Sequence, residues 1–154
     1  MLEKLVSGGQ TGADRAALDV ALAHGLRIGG WVPKGRAAED GRIPARYVGL
    51  VETESADPAV RTARNVRDSD ATLIVSHGPL AGGSLLTLDE ATRTSKPHLH
   101  LDLDRLSLTS ASERLADWIA EVRPRVLNVA GPRASEDPRI ASDTTALLEA
   151  AMLR

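Results

Sequence analysis

The sequence has no cysteine, and its two tryptophans and one tyrosine leave aromatic residues at 2% of the chain. Without cysteine there is no disulfide framework, and no site in which the protein itself supplies thiolates to a metal. A reducing cytoplasm fits that composition and is the expected location. So few aromatics, with a formal net charge of −2, provide neither a base-stacking platform nor a broad basic surface, so nucleic acid is not an expected partner. No apolar run approaches the ~20 residues needed to cross a bilayer, and no membrane association is expected. The opening MLEKLVSGG runs straight into a strand-like segment, without the long apolar stretch and cleavage site of a secretory leader. Export is therefore not expected.

What is present is the balance of a globular protein: 154 residues, 42% hydrophobic and 26% charged. That length is expected to fold as a single domain spanning 1–154, with a core of its own. Short β-branched and aliphatic runs read as strands: KLVS from Lys4, RIGGWV from Arg27, VGLVET from Val48, ATLIVS from Ala71, HLHL from His98 and VLNVA from Val126. Between them lie helical periods, with Leu18, Ala21, Leu22 and Gly25 on one stripe and Leu115, Trp118, Ile119 and Val122 on another. Capping-box spacing at Thr11 and Asp14, and at Ser110 and Glu113, marks two helix starts. Asp57-Pro58 and Asp137-Pro138 mark two more, because an acceptor precedes a residue with preset φ. Strands alternating with amphipathic helices favour an α/β Rossmann-like three-layer sandwich, a mostly parallel sheet with helices on both faces.

Three strand ends carry candidate ligand chemistry. In the first, SGGQTGADRAAL from Ser7, the glycines Gly8, Gly9 and Gly12 permit close backbone approach before a helix N-terminus, where unpaired N–H groups favour an anion. Gln10 and Thr11 can add donors, Asp14 caps the helix, and Arg15 stands one turn in to neutralise a phosphate. The pattern lacks the GK[ST] ending of a Walker loop and the third glycine of GxGxxG, so neither ATP nor NAD follows from it. Gly82, Gly83 and Ser84 repeat the logic after ATLIVS, where the bland alternative is a flexible connection with Ser84 as N-cap. Gly131, Pro132 and Arg133 close the third strand end, with a guanidinium fork suited to a phosphate or carboxylate. Turns that follow different parallel strands can face one ligand.

The longest irregular stretch, Pro33 to Pro44, is read as a lid that brings Lys34 or Arg36 to a ligand, or else as a solvated excursion; it also carries Glu39, Asp40 and Arg42. His98 and His100 share a strand face but lack a third ligand at metal spacing, so they read as structural. Asp89 and Glu90 have no visible partner nucleophile. Neither a catalytic constellation nor a metal-ligand set emerges.

Taken in order, SGGQTGADRAALD, GGWVPKGRAAEDGRIP, NVRDSDATLIV, GGSLLT and LNVAGPR span nearly the whole chain and resemble the molybdenum cofactor carrier family. That family sits in a Rossmann-like superfamily shared with phosphoribohydrolases that resemble lysine decarboxylases. The resemblance implies a homo-oligomer, dimer or tetramer, that binds and protects the molybdenum cofactor (molybdopterin) and delivers it to molybdoenzymes. The cofactor's terminal phosphate would rest on the Ser7 to Asp14 turn or the Gly82 to Ser84 turn, with Arg133, Lys34 or Arg36 compensating its charge. Its metal would keep its own dithiolene sulfurs, and molybdate alone would suit the same N–H groups. The relatives imply an alternative, hydrolysis of a nucleoside monophosphate at its N-glycosidic bond. The relatives' PGGxGTxxE motif is altered here to GGSLLTLDE, with three residues between the glycine pair and Thr87 and no glycine before it, which weakens the case for Glu90 as a catalytic group. A nucleotide or nucleotide-sugar sensor without turnover is the third reading.

Overall fold

A computed structural model describes residues 1–152. The chain runs β1 (Lys4–Val6), α1 (Ala13–Ala23), β2 (Arg27–Val32), β3 (Ala37–Ala38), β4 (Gly41–Arg42), β5 (Leu50–Glu52), α2 (Pro58–Asp68) and β6 (Ala71–Ser76). It continues through α3 (Gly82–Arg93), β7 (His98–Asp102), α4 (Leu108–Val122), β8 (Val126–Ala130) and α5 (Ile140–Met152). The main sheet has the order β5-β2-β1-β8-β6-β7, and every pairing in it is parallel. This is the expected α/β Rossmann-like sandwich.

Handedness decides which face each helix covers. The β1-to-β2 and β7-to-β8 crossovers move along the sheet in one direction, while β5-to-β6 and β6-to-β7 move in the other. Right-handed connections therefore put α1 and α4 on one face and α2 and α3 on the opposite one. The packing agrees, with α5 against α1 and α4 in one layer and α2 against α3 in the other. Leu5, Leu73, Val75, Leu127 and Val129 are sealed between these layers. No helix among the described residues is long and apolar enough to cross a membrane.

Several local expectations are corrected. The strand read from Val48 begins at Leu50, because Gly49 adopts a φ of 86° that breaks the extended backbone. On α1, Leu18 and Ala21 are buried, but Leu22 is exposed and Gly25 lies beyond the helix end. Leu115 is buried, with Trp118, Ile119 and Val122 packed partly against the core, as the periodicity of α4 predicts. Neither capping box forms. Gly12 is the N-cap of α1 and no side chain caps it, whereas α4 starts after Ser107, whose hydroxyl accepts from the Ser110 N–H at 3.1 Å. Asp57 does cap α2, accepting from the Ala59 N–H at 3.0 Å, with Pro58 first in the helix. Asp137 accepts from the Arg139 N–H at 3.1 Å, but it caps a turn, and α5 begins only at Ile140. The Pro33 to Pro44 stretch is not irregular, since it contains the antiparallel β3–β4 hairpin and Ile43 enters the core at its end.

Truncation should separate these environments. Leu127→Ala is expected to lower the unfolding free energy by about 2–5 kcal/mol, and Leu22→Ala by under ~1 kcal/mol, in urea titrations. Equal losses would contradict the burial described.

Candidate functional site

The carboxyl ends of β1, β6 and β8 lie side by side, and the turns that follow them enclose a cleft. One cavity there, about 270 Å³, is walled by Gly8, Gln10 and Asp14 from the β1–α1 turn, Gly82 to Ser84 and Thr87 from α3, and Gly131, Arg133 and Glu136 after β8. Residues from all three candidate turns therefore meet. Arg61, Thr62 and Asn65 of α2 complete the wall, as does Asn128 of β8. The motif reading missed the three from α2. A signal existed: Arg61 and Asn65 are four residues apart on a helix that starts just past a strand end, and so share its face.

The first turn is occupied by the protein itself. The Gln10 N–H donates to Asp14 Oδ2 at 3.2 Å, and the Gly8 N–H also bonds this carboxylate. The Thr11 N–H goes to Gln10 Oε1 at 3.0 Å and the Ala13 N–H to the Pro132 carbonyl at 3.3 Å. Donors expected to hold an anion are thus paired internally, and Asp14 is the anion they face. Burial pushes the Asp14 carboxyl up to about 6, against the opposing pull of Arg61 and the Gln10 and Gly8 N–H groups.

Thr11, Gly9, Gly12 and Arg15 do not line the cavity. The Thr11 hydroxyl donates to Glu39 and accepts from the Ala134 N–H at 3.1 Å. Gly12 has a φ of 82°, and a Cβ there would stand 2.4 Å from the Pro132 carbonyl oxygen, so glycine is required by close packing against the segment after β8. Arg15 clasps Asp40 through two nitrogens at 2.5 and 2.7 Å and donates to the Gly9 carbonyl at 3.0 Å. Its charge is already balanced. Arg36 donates to the carbonyls of Ile43, Pro44 and Tyr47 within its own loop, and neither it nor Lys34 reaches the cavity wall. The lid expectation therefore gives way to a fixed hairpin. Glu39 ties that hairpin to the Ser135 hydroxyl at 2.5 Å and to Arg133 at 3.5 Å.

The α3 end is different. Ala81, its N-cap, provides no side-chain acceptor, and a Cβ added at Gly82 or Gly83 would meet no atom within 4 Å. The first N–H groups of α3 thus have no side-chain cap, and the residues that carry them line the cleft. Ser84 is buried within the helix and is not its cap. Opposite stands Arg61, which donates to the Gly8 carbonyl at 2.7 Å and has no ion-pair partner among the described residues. Arg133, half exposed at the mouth, is shared between Glu136 at 3.2 Å and Glu39. Glu90 pairs with Arg93 at 2.5 Å instead of facing the cleft. Asp89 also lies off its wall.

Beside the cleft, His77 follows β6 with 5% of its side chain exposed, its Nδ1 at 2.5 Å from Asp137 and its Nε2 at 2.8 Å from Asp143. Burial pulls the His77 pKa down, but the hydrogen bonds to both carboxylates outweigh it and raise the value. This clamp fastens the segment bearing Arg133 and Glu136 to the sheet. His98 is exposed, with Nδ1 at 2.9 Å from the Lys96 carbonyl, and His100 Nε2 lies 2.7 Å from the Ser76 hydroxyl. Among the described residues no group of three His, Asp or Glu side chains is arranged to hold a metal ion.

A model of the circularly permutated YpsA SLOG family matches residues 5–152. The chain belongs to this family. It is also similar to a protein of Syntrophus aciditrophicus SB, whose crystal structure is described as that of a "putative molybdenum carrier protein". The two share 52% identity over 98% of this chain and 95% of the other, with a TM-score of 0.96. The resemblance read from the sequence motifs is therefore upheld. Comparison with curated proteins gives no match.

Two pH windows should separate the buried titrating groups. Asp14 has a raised folded pKa, so the stability present when it is protonated is lost as pH rises from the ordinary 3.8 through about 6, by on the order of 3 kcal/mol. Asp14→Asn should remove that slope in urea titrations between pH 4 and 7. His77 is also raised, so its contribution is full below 6.5 and fades as pH climbs through the folded value. The stability gap between the native chain and His77→Gln is expected to narrow as pH rises above 6.5 and through the raised folded value; a gap independent of pH would defeat the clamp.

Proposed function

We propose that the cleft seats the anionic end of a phosphorylated small molecule on the N-terminus of α3, and that the molecule is the molybdenum cofactor, held for delivery to molybdoenzymes. The reading is supported above all by one convergence: the open, uncapped start of α3 and the guanidinium groups of Arg61 and Arg133 line the same cavity. Helix N–H groups and arginine forks are the chemistry that binds phosphate. A tetrahedral oxyanion such as molybdate has the same requirements. The name of the Syntrophus protein favours a molybdenum ligand.

The donor set suits cargo whose metal already has sulfur ligands. With no cysteine in the chain, the protein adds no thiolate bond that would slow release. The phosphate would be held by N–H groups and Arg61, the metal would stay on its dithiolene, and the remainder of the molecule would extend along the cleft. Lys34 and Arg36, remote from the cavity wall, have no part in this assignment, and Thr11 acts as a tie between loops. We further propose a cytoplasmic homo-oligomer, dimer or tetramer, of single-domain subunits.

The test is the affinity of the purified protein for freshly released molybdenum cofactor, with AMP as competitor and adenine release followed in parallel. We expect tight binding, no displacement by AMP and no adenine release. Arg61→Ala should weaken binding about 10- to 100-fold, while Lys34→Ala leaves it unchanged. Weak binding with adenine released would instead assign the cleft to an N-glycoside hydrolase.

A further inference from the structure

Two groups of opposite charge line the 270 Å³ cavity and engage the same glycine. Arg61 donates to the Gly8 carbonyl at 2.7 Å, while the Gly8 N–H bonds the Asp14 carboxylate. Asp14 is only 7% exposed, and its Oδ2 also accepts from the Gln10 N–H at 3.2 Å. A carboxylate offers about four lone-pair sites, so these bonds leave it with acceptor capacity toward the cavity. The rest of the lining supplies donors. Besides Arg61 there are the uncapped start of α3 and the hydroxyl of Ser84, a residue 6% exposed whose side chain has no partner among the described residues.

An oxyanion seated by those donors therefore meets a buried acceptor as well. Two bare oxygen anions in contact repel, and paired carboxylates resolve the same conflict by sharing one proton. A proton between Asp14 and the ligand converts the repulsion into a charge-assisted O–H···O⁻ bond. The other charges around Asp14 do not do this for it. Arg15 on α1 is engaged by Asp40, Arg133 after β8 is engaged by Glu136 and Glu39, and the first turn of α3 holds no charged residue. Arg61 alone sets one positive charge against a dianion. Burial raises the Asp14 pKa to about 6, so the carboxyl takes up a proton more readily than an exposed one.

Resting on the reading of this cavity as an oxyanion seat, we propose that Asp14 determines its specificity by sharing one proton with the bound oxyanion, so that the site selects tetrahedral anions that carry a proton over those that carry none. Hydrogenphosphate brings its own proton at pH 8. Sulfate brings none, and Asp14 must then be protonated from solution. A phosphate monoester changes from one case to the other as it loses its second proton near pH ~6.

The experiment is calorimetry of inorganic phosphate, sulfate and ribose 5-phosphate with the full chain at pH 5 and pH 8, for the native protein and for Asp14→Asn. The amide keeps the size of the side chain and an oxygen for the Gln10 and Gly8 N–H groups. At pH 8 the native protein should bind phosphate at least ~10-fold more tightly than sulfate, because sulfate must protonate a group whose pKa is about 6. At pH 5, where Asp14 already holds the proton, that preference should vanish. Ribose 5-phosphate should weaken at least ~10-fold from pH 5 to pH 8, and at pH 8 it and sulfate should take up a proton, read from the dependence of the heat on the ionisation enthalpy of the buffer. In Asp14→Asn, phosphate and sulfate should bind equally at both pH values. His77 titrates above 6.5 but lines only the second cavity, which shares Ser84 and Glu136 with the first, and it acts on both anions alike.

Equal binding of phosphate and sulfate to the native protein at pH 8, without proton uptake, would overturn the shared proton and leave the oxyanion seat standing. A phosphate preference that persists in folded Asp14→Asn would overturn it too. Should that variant not fold, the proton uptake and pH dependence of the native protein decide by themselves. If none of the three anions binds the native protein at pH 5, the seat falls and the shared proton with it.

Discussion

The hydrogen bonding of β8 to both β1 and β6 is the constraint on which the rest of the structure depends. Leu127 pairs with Leu5 on one side and with Ala71 on the other, so the last strand to be made joins the β5-β2-β1 half of the sheet to the β6-β7 half. Strands that enter a parallel sheet in this way need long-range pairing before any local reward. The same insertion brings the turns after β1, β6 and β8 to one edge, where a ligand site can form between them. Without β8, Arg133 and Glu136 would have no fixed place opposite α3.

Two glycine-rich turns at that edge differ in what satisfies their N–H groups. After β1, the Asp14 carboxylate folds back on the turn that a ligand would otherwise approach, and the close approach at Gly12 locks the helix start against the segment after β8. Bringing that carboxylate out of water has a cost, visible in its raised pKa. The return is a rigid wall for the cleft. At α3 no side chain among the described residues plays that role, and the helix start is left open. The difference arises at one position: Asp14 stands at the second residue of α1, whereas Gly83 holds the second position of α3.

Much of the fold was legible because it rests on local chemistry. ATLIVS and VLNVA are short apolar runs with turn residues at their ends, and both became central or near-central strands. Asp57-Pro58 announced α2 because its cap depends on adjacent residues alone. The capping box at Thr11 failed for a non-local reason, since Thr11 bridges Glu39 and the Ala134 N–H, whereas the one at Ser110 failed because α4 starts a turn earlier, on Ser107. The same limit governs the site. Glycines and Arg133 at strand ends could be placed by motif, but the pairing of Arg15 with Asp40 and of Arg36 with carbonyls depends on how one hairpin packs. Arg61 was passed over as a site residue because its only signal was the four-residue spacing from Asn65 on one helix face, and nothing near it resembles a ligand loop.

Charge in the cleft sets how firmly an anion can be held under the proposed reading. Arg61 and Arg133 face Asp14 and Glu136, so the cavity is far from a concentrated positive well. Glu136 and Glu39 already engage Arg133, and an arriving phosphate must compete with them. Arg61 differs, since its hydrogen bonds go to the Gly8 carbonyl and the Thr62 hydroxyl, and neither neutralises its charge. An anion beside Arg61 would also meet the Asp14 carboxyl, and would disfavour the ionised form of a group already displaced toward protonation. Binding and proton uptake at Asp14 are therefore coupled: each favours the other, by thermodynamic reciprocity. Two guanidiniums set against two carboxylates leave no surplus of positive charge, so under the proposed reading the open helix end and proton uptake at Asp14 would hold the cargo, which suits release to another protein better than permanent retention.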